Sequence, residues 1–249
     1  MKRIIIMALG VLLALALAAP MALAQVEQGA KASATIQEGT PSDKLAAAAW
    51  AQWAYSKSVD NPVDSPLVGG DPNYSEEQCD GTPVSPTQGN TWFLAGTSDG
   101  SKVTRTCTMP AGIPLFFPVY SSLWVPIVEG ENAGNQRQGA IDSVNATLAD
   151  RKFMRTMLVT VDGKQVESDQ IVRALSPVFS ITLPEENVYD CPKCKPPFDV
   201  PAGEYKGASV DGLWVNLPPL LPGEHIIHFT FVKSSGFKQD NTYNLTVVN

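Results

Sequence analysis

Four cysteines and two histidines are the residues of this chain with the clearest potential for chemistry. Cys191 and Cys194 form a C-x2-C unit, and His225 and His228 form an H-x2-H unit further along. Two thiolates and two imidazoles are a set that tetrahedral zinc accepts. The two histidines, however, follow a turn in a β-type stretch, where residues three apart point to opposite faces of a strand. The spacing therefore argues against a zinc site formed by these four residues, and we expect no metal there.

The same cysteines predict disulfide bonds if the chain is exported, and four cysteines allow three pairings. Cys79 lies in a long loop and Cys107 lies in an apolar strand-like segment, whereas Cys191 and Cys194 are close neighbours among prolines. The sequence alone does not select a pairing, but these positions lead us to expect Cys79–Cys107 and Cys191–Cys194. The residues after Cys194 are Lys195-Pro196-Pro197, which do not start the helix that activates a redox C-x-x-C cysteine. A structural role is therefore expected.

Carboxylates near strand ends raise the alternative of a hydrolase or lyase that acts on an extracellular polymer. Asp211 and Glu224 are the candidate acid and base, because glycoside chemistry needs two such groups in one groove. With 25 acidic residues in the chain, this placement does not by itself indicate a catalytic pair. No G-x-S-x-G, phosphate-binding glycine loop or H-E-x-x-H sequence is present. The sequence therefore favours a non-enzymatic role and indicates no cofactor.

Three tryptophans form a candidate platform for a sugar or an aromatic ligand. Trp50 and Trp53 lie at helical spacing on one side of a predicted helix, and Trp124 follows a short serine-containing segment. Packing in the core is the alternative for each of them. Trp92 and Trp214 lie in apolar segments and are expected in the core.

Residues 1–24 have the pattern of a cleavable secretory signal. Lys2 and Arg3 precede an apolar run that ends at Ala19, and the small-x-small sequence Ala22-Leu23-Ala24 follows. The run is shorter than the roughly 20 residues that a membrane-spanning helix needs. The sequence therefore predicts a secreted or periplasmic protein without a membrane span.

The composition describes an acidic chain. The full chain has 18 basic and 25 acidic residues and a net charge of −7, and removal of Lys2 and Arg3 with the signal changes this to −9. An acidic surface repels phosphate backbones, so nucleic acid is not an expected partner. An extracellular polymer or protein is the expected partner class, with the mature chain a monomer or weakly self-associating.

Short segments rich in Val, Ile, Phe, Trp and Thr, separated by prolines and glycines, predict a mainly β fold. We expect a flexible leader over residues 25–41 and a single domain over 42–249. The domain is predicted to be an antiparallel β-sandwich of jelly-roll or Greek-key type with two helical excursions. The first helix is expected over 42–57 with Ser42 as its N-cap, and the second over 138–150.

Eight strand segments are read from the alternation of apolar residues and from the turns between them. Three consecutive segments, 92–96, 103–109 and 113–120, are joined by turn sequences and predict a β-meander. The others are expected at 157–161, with a short partner near Gln165, and at 178–183, 213–217, 225–232 and 242–248.

A series of landmarks across residues 50–229 resembles a broad group of uncharacterised exported proteins. The landmarks are, in order, WAQW, Asn61-Pro62, Cys79, WFLAG, RTCTMPAGIPLFFP, SPVFSITLPEENV and DGLWVNLPPLLPGEHIIHF. The resemblance implies export and a shared fold, and it supplies no reaction. It also implies that Arg105-Thr106-Cys107 and Pro110-Ala111-Gly112 belong to the scaffold.

These patterns together predict a secreted β-sandwich with a binding or structural role at a surface. The polymer-active enzyme is the first alternative. A self-assembling protein, in which an extended leader adds a strand to a neighbour's sheet, is the second.

Overall fold

Strands hold more residues than helices do in the computed structural model, which describes residues 36–59, 65–68, 91–127, 132–189 and 200–249. In chain order the strands are β1 (Gln37–Glu38), β2 (Trp92–Phe93), β3 (Lys102–Pro110), β4 (Leu115–Trp124), β5 (Leu158–Val161), β6 (Lys164–Gln165), β7 (Ile171–Arg173), β8 (Phe179–Leu183), β9 (Gly203–Leu217), β10 (Gly223–Val232) and β11 (Lys238–Val248). The helices are α1 (Pro41–Tyr55), α2 (Ala133–Ala149) and α3 (Arg151–Thr156).

Some predictions fall outside the described residues. They are the signal over residues 1–24, the first part of the leader over residues 25–35, and the cysteines Cys79, Cys191 and Cys194. Cys107 is described, is fully buried and is disulfide-bonded. The predicted pairing of the four cysteines stays a prediction.

The strands form two mixed sheets, which agrees with a β-sandwich. The first sheet has the order β1-β7-β9-β4-β2, with β8 also paired to β9, and the second has the order β3-β11-β10-β5-β6. Three pairs are parallel, namely β1 with β7, β2 with β4 and β3 with β11. The prediction of purely antiparallel sheets is therefore wrong. The jelly-roll or Greek-key assignment stays a prediction.

The predicted β-meander is also wrong. β2 and β4 are neighbours in the first sheet, whereas β3 lies beside β11 in the second. Burial explains the separation: β3 is buried at every second residue, while the first five residues of β4 are all buried. A strand covered on both faces belongs to a middle layer, and a strand covered on one face belongs to an outer layer.

Three layers follow from this arrangement. The main core lies between the two sheets and includes Phe117 and Val215 from the first sheet and Phe229 and Leu245 from the second. A second apolar cluster covers the other face of the first sheet, where α1 packs its tryptophans against Phe116 and other buried side chains. Burial of aromatic side chains on both faces makes the first sheet the middle layer.

Helix α1 begins earlier than the sequence predicted. Its N-cap is Thr40, not Ser42: the Thr40 hydroxyl accepts the Asp43 backbone N–H at 3.2 Å, and the Asp43 carboxylate accepts the Thr40 N–H at 2.8 Å. Pro41 occupies the first helical position, where its missing N–H costs nothing. This reciprocal capping box satisfies two backbone donors, which explains the earlier start.

The predicted second helix is longer, and a third helix follows it. Asn132 is the N-cap of α2, and its side-chain oxygen accepts the Asn135 N–H at 3.1 Å. The helix therefore begins at Ala133, before residue 138, where the apolar spacing predicted its start. Asp150 then caps α3, because its carboxylate accepts the backbone N–H groups of Lys152 and Phe153. The expectation of two helices missed this short turn, whose only buried residue is Phe153.

The end of the predicted flexible leader is ordered. Ile36 packs against the main core, and Gln37 and Glu38 pair in parallel with β7. Gly39 N–H also donates to the Arg173 carbonyl at 2.7 Å. A single apolar anchor and the edge of β7 are therefore enough to fix the residues that lead into α1. No helix in the described part of the chain has the length and apolar character needed to cross a bilayer.

Candidate functional site

A cleft of about 320 Å³ lies where the middle of β4 meets the turn between β10 and β11. Its described lining residues are Trp50, Tyr55, Leu67, Gly96, Thr97, Ser98, Pro118, Val119, Tyr120, Ser121, Lys233, Ser235, Phe237 and Gln239. Their side chains are aromatic, apolar or neutral hydrogen-bonding groups, with one exception, the ammonium of Lys233. None of these described residues is Asp or Glu, although the chain as a whole is acidic.

Lys233 joins α2 to the wall of the cleft. Its Nζ donates to the Thr147 hydroxyl at 2.8 Å and to the Tyr120 hydroxyl at 3.3 Å, and it lies 4.4 Å from the centre of the Tyr120 ring. The Tyr120 hydroxyl is also 3.1 Å from Ser143 Oγ. Four residues, Tyr120, Ser143, Thr147 and Lys233, therefore form one polar cluster, which we call the hydroxyl–ammonium cluster.

The electrostatics of this cluster act on Tyr120. Burial raises the pKa of the phenol, but hydrogen bonds from Ser143 and Thr147 and the positive charge of Lys233 outweigh burial, so the pKa lies below its ordinary value. The hydrogen bonds from the two hydroxyls are the larger lowering causes, and the charge of Lys233 adds to them.

The chain positions Lys233 through the tight turn that follows it. Lys233 N–H donates to the Phe237 carbonyl at 2.8 Å, and Gly236 closes the turn with a positive φ of 93°. Asp150 fixes this turn to the α2–α3 junction by accepting the Ser234 backbone N–H at 2.7 Å and the Ser234 hydroxyl at 2.7 Å. These hydrogen bonds, the backbone one foremost, lower the pKa of Asp150 to about 2.

Arg105 holds two other segments that line the cleft. Its guanidinium is buried and donates to the Ala95 carbonyl at 2.7 Å, to the Pro66 carbonyl at 2.8 Å and to the Tyr243 hydroxyl. Each of these carbonyls lies next to a lining residue, Gly96 or Leu67. The residue that the resemblance assigned to the scaffold therefore fixes the backbone on this side of the cleft.

Two of the three candidate platform tryptophans are buried. Trp50 and Trp53 are 2% and 4% exposed and pack against one another with ring centroids 6.5 Å apart. Trp50 contributes to the cleft, but its indole N–H donates to the Leu94 carbonyl at 2.8 Å. Trp124 is 42% exposed and is not among the residues of the cleft. The structure does not bring the three rings together as one exposed platform.

The candidate acid and base lie in different sheets. Asp211 is on β9, has no exposed surface, and pairs with Arg173 through its Oδ2 at 2.5 Å from the guanidinium. Glu224 is exposed on β10 and accepts a hydrogen bond from the Thr246 hydroxyl at 3.0 Å. A buried, ion-paired carboxylate and an exposed one on another sheet do not form the floor of a shared groove.

The two histidines occupy opposite faces of β10. His225 lies in register with the core-facing residues, where its Nδ1 is 2.8 Å from a carboxylate oxygen of Asp162 and its Nε2 is 2.8 Å from the Leu221 carbonyl oxygen. His228 lies on the outer face and contacts Asp240 at 2.9 Å. No group of three potential metal ligands occurs within the described residues. The other two members of the candidate zinc set, Cys191 and Cys194, lie outside them.

His225 is expected to make stability depend on pH, because both ring nitrogens face oxygen acceptors and only the imidazolium donates from both. The hydrogen bond to Asp162 raises the pKa of His225, with a further contribution from the Leu221 carbonyl. The stabilisation is therefore fully present below the unfolded pKa of about 6.5 and is lost as pH rises through the folded-state pKa. The pKa of Asp162 is lowered, by the Ile226 N–H first and then by His225, so its own contribution is lost only as pH falls below about 4.

The measurement is the free energy of unfolding in urea at pH 6 and at pH 8. In the natural chain the free energy of unfolding should fall from pH 6 to pH 8 as His225 loses its proton. His225→Gln should remove this fall, whereas His228→Gln, the matched change on the other face of β10, should keep it. Equal pH dependence in the natural chain and in His225→Gln would show that the imidazolium does not bridge these two oxygens.

The hydroxyl–ammonium cluster was not identified from the sequence. Ser143 and Thr147 lie four residues apart and so share one side of α2, beside the apolar spacing that revealed the helix. Tyr120 and Lys233 are 113 residues apart. Only the pairing of strands brings them together, so no local motif marked them.

No family model matches this sequence, and no curated protein or solved structure matches it either.

Proposed function

We propose that this chain is an exported protein that binds a single sugar unit of an extracellular polymer in the cleft beside Tyr120. The observation that carries the proposal is the composition of the cleft wall. It combines aromatic rings from Tyr55, Tyr120 and Phe237 with hydroxyl groups from serines and the amide of Gln239. A sugar ring presents apolar C–H faces and a rim of hydroxyls, which match this combination.

The size of the cleft supports a small ligand. A volume of about 320 Å³ lies at the lower end of the range for small-molecule sites, about 300–1,000 Å³. The cleft therefore has room for one sugar ring and not for a long polymer segment. A polymer would therefore contribute one unit or one chain end to the site.

The positions of the acidic residues support binding of a sugar without its hydrolysis. Glycoside hydrolysis needs two carboxyl groups within about 5–10 Å of each other across the scissile bond. The described lining residues contain no carboxylate, and Asp211 is fully buried against Arg173. The alternative of a polymer-active enzyme that uses Asp211 and Glu224 therefore has no support in the described geometry.

Strand donation by the leader has less support than binding in the cleft. Donation needs an extended segment that leaves its own domain and an open sheet edge that receives it. Gln37 and Glu38 pair with β7 of their own chain, and this pairing fills the edge beside β7. The last residues of the leader are thus engaged within the chain.

The test is a titration of the purified protein with neutral sugars, namely glucose, galactose and N-acetylglucosamine and their disaccharides, followed by calorimetry and by backbone amide NMR. We expect saturable binding with shifts that concentrate on the residues of the cleft. Ser235→Trp places a bulky ring at an exposed position of the wall and should weaken binding at least tenfold, which is about 1.4 kcal/mol. Thr104→Trp, on the outer face of the second sheet, is the matched control and should leave binding unchanged.

Two results would contradict the proposal. The first is the absence of saturable binding by any neutral or acidic sugar. The second is a sugar affinity that Ser235→Trp and Thr104→Trp leave equally intact, since the ligand would then bind elsewhere.

A further inference from the structure

The ammonium of Lys233 has no carboxylate partner among the residues that the structure describes. It is partly buried, and the ion pairs of the described residues do not include it. Its two hydrogen-bond partners, Thr147 and Tyr120, are neutral hydroxyls. An ammonium has three donors, so one N–H of Lys233 has no acceptor among the described residues.

Lys233 is only partly buried, so water reaches its ammonium in the free protein, and a ligand that fills the cleft would displace this water. Removal from water penalises the charged form unless an opposite charge or a full set of hydrogen bonds replaces the water. Asp150 is near in the chain, but its carboxylate is used by the Ser234 N–H and hydroxyl. The fold therefore holds a cation in the wall of a cleft whose described residues supply no counter-charge.

The ammonium of Lys233 is a positive charge in the cleft of an otherwise acidic chain. The chain has a net charge of −7, and Lys233 is the one charged side chain among the described residues of the cleft. The positive charge of Lys233 is one of the causes that lower the pKa of Tyr120. An anion that enters the cleft meets attraction at Lys233 and no carboxylate from the described lining.

We infer that Tyr120 and Lys233, the two residues of the hydroxyl–ammonium cluster that line the cleft, are the subsite for the carboxylate of a uronic acid, so that the bound sugar is a unit of an acidic polysaccharide. The carboxylate accepts the third N–H of Lys233, and its single negative charge balances the single positive charge there. A phosphate dianion would leave one negative charge uncompensated. This inference rests on the proposed sugar binding and adds the class of sugar.

The first experiment compares ligands on the natural chain, so that it does not depend on the folding of a variant. Calorimetric titrations use glucuronate, glucose and the neutral methyl ester of glucuronic acid at pH 7 and low salt. A charge-assisted hydrogen bond should give glucuronate an affinity roughly tenfold or more above that of glucose. The methyl ester should lose this advantage, and 0.5 M NaCl should reduce it.

The second experiment locates the subsite. Lys233→Met should abolish the preference for glucuronate over glucose, while Lys233→Arg, which keeps the charge, should retain most of it. Lys238→Met removes the same charge from an exposed position on β11 and should leave the preference unchanged.

The outcomes separate this inference from the proposed function. Equal affinity for glucose and glucuronate would overturn the uronate subsite and leave sugar binding in place. A preference that survives Lys233→Met would overturn the assignment to Lys233. Tighter binding of glucose 6-phosphate than of glucuronate at pH 7 would overturn the charge balance, and an absence of all sugar binding would overturn the proposed function together with the subsite.

Discussion

Replacement of Arg173 by methionine is expected to lower the free energy of unfolding by about 3–5 kcal/mol at pH 7, because it leaves a buried carboxylate without its partner. The Asp211 side chain has no exposed surface, and Arg173 donates to its Oδ2 from Nε at 3.0 Å and from a terminal nitrogen at 2.5 Å. The guanidinium also reaches Asn145 Oδ1 at 2.8 Å. One side chain thus joins β7, β9 and α2.

The two partners are not equivalent, and this asymmetry makes the prediction specific. The Arg173 side chain is 23% exposed, so water can solvate it when Asp211 is neutralised. Asp211→Asn should therefore cost less than Arg173→Met. The double variant Arg173→Met, Asp211→Asn should be more stable than Arg173→Met alone, because it no longer buries an unpaired charge.

Urea unfolding of the natural chain, both single variants and the double variant gives the coupling energy. A loss below about 1 kcal/mol for Arg173→Met, or a double variant no more stable than that single variant, would show that the ion pair does not stabilise the fold.

Local patterns predicted the strands better than they predicted the sheets. Alternation of apolar residues located β10 and β11, and Asp162-Gly163 marked the turn between β5 and β6. Both turn residues have positive φ, as a tight hairpin requires. The assignment of β3 and β4 to different sheets could not be read from the turns between them. It depends on what covers each face, which is a property of the whole chain.

The site was less predictable than the fold. Helical spacing placed Trp50 and Trp53 on one side of α1, but spacing does not say whether that side meets solvent or a sheet. It meets the first sheet, where both rings are buried. Lys233 and Tyr120 carry no motif, and their contact exists only because the turn after β10 folds against β4 and α2.

Replacement of Trp214 by alanine is expected to have the other large effect, a loss of about 3–5 kcal/mol in the free energy of unfolding. Trp214 is fully buried in the middle layer, stacks on Phe116 with centroids 5.0 Å apart and meets the Trp50 ring edge-on at 5.3 Å. Its indole N–H donates to the Ala174 carbonyl at 3.0 Å. Alanine would leave a cavity between α1 and the first sheet and an unsatisfied carbonyl beside β7.

Trp124→Ala is the matched control, because it removes the same side chain from a position that is 42% exposed and outside the two larger apolar clusters. Its cost should stay below about 1 kcal/mol. In thermal unfolding the Trp214 variant should melt roughly 6–20 °C below the natural chain, at about 2–4 °C for each kcal/mol in a domain of this size. Equal losses in the two variants would mean that the layer between α1 and the first sheet is not a packed core, and the three-layer arrangement that positions the cleft would have to be abandoned.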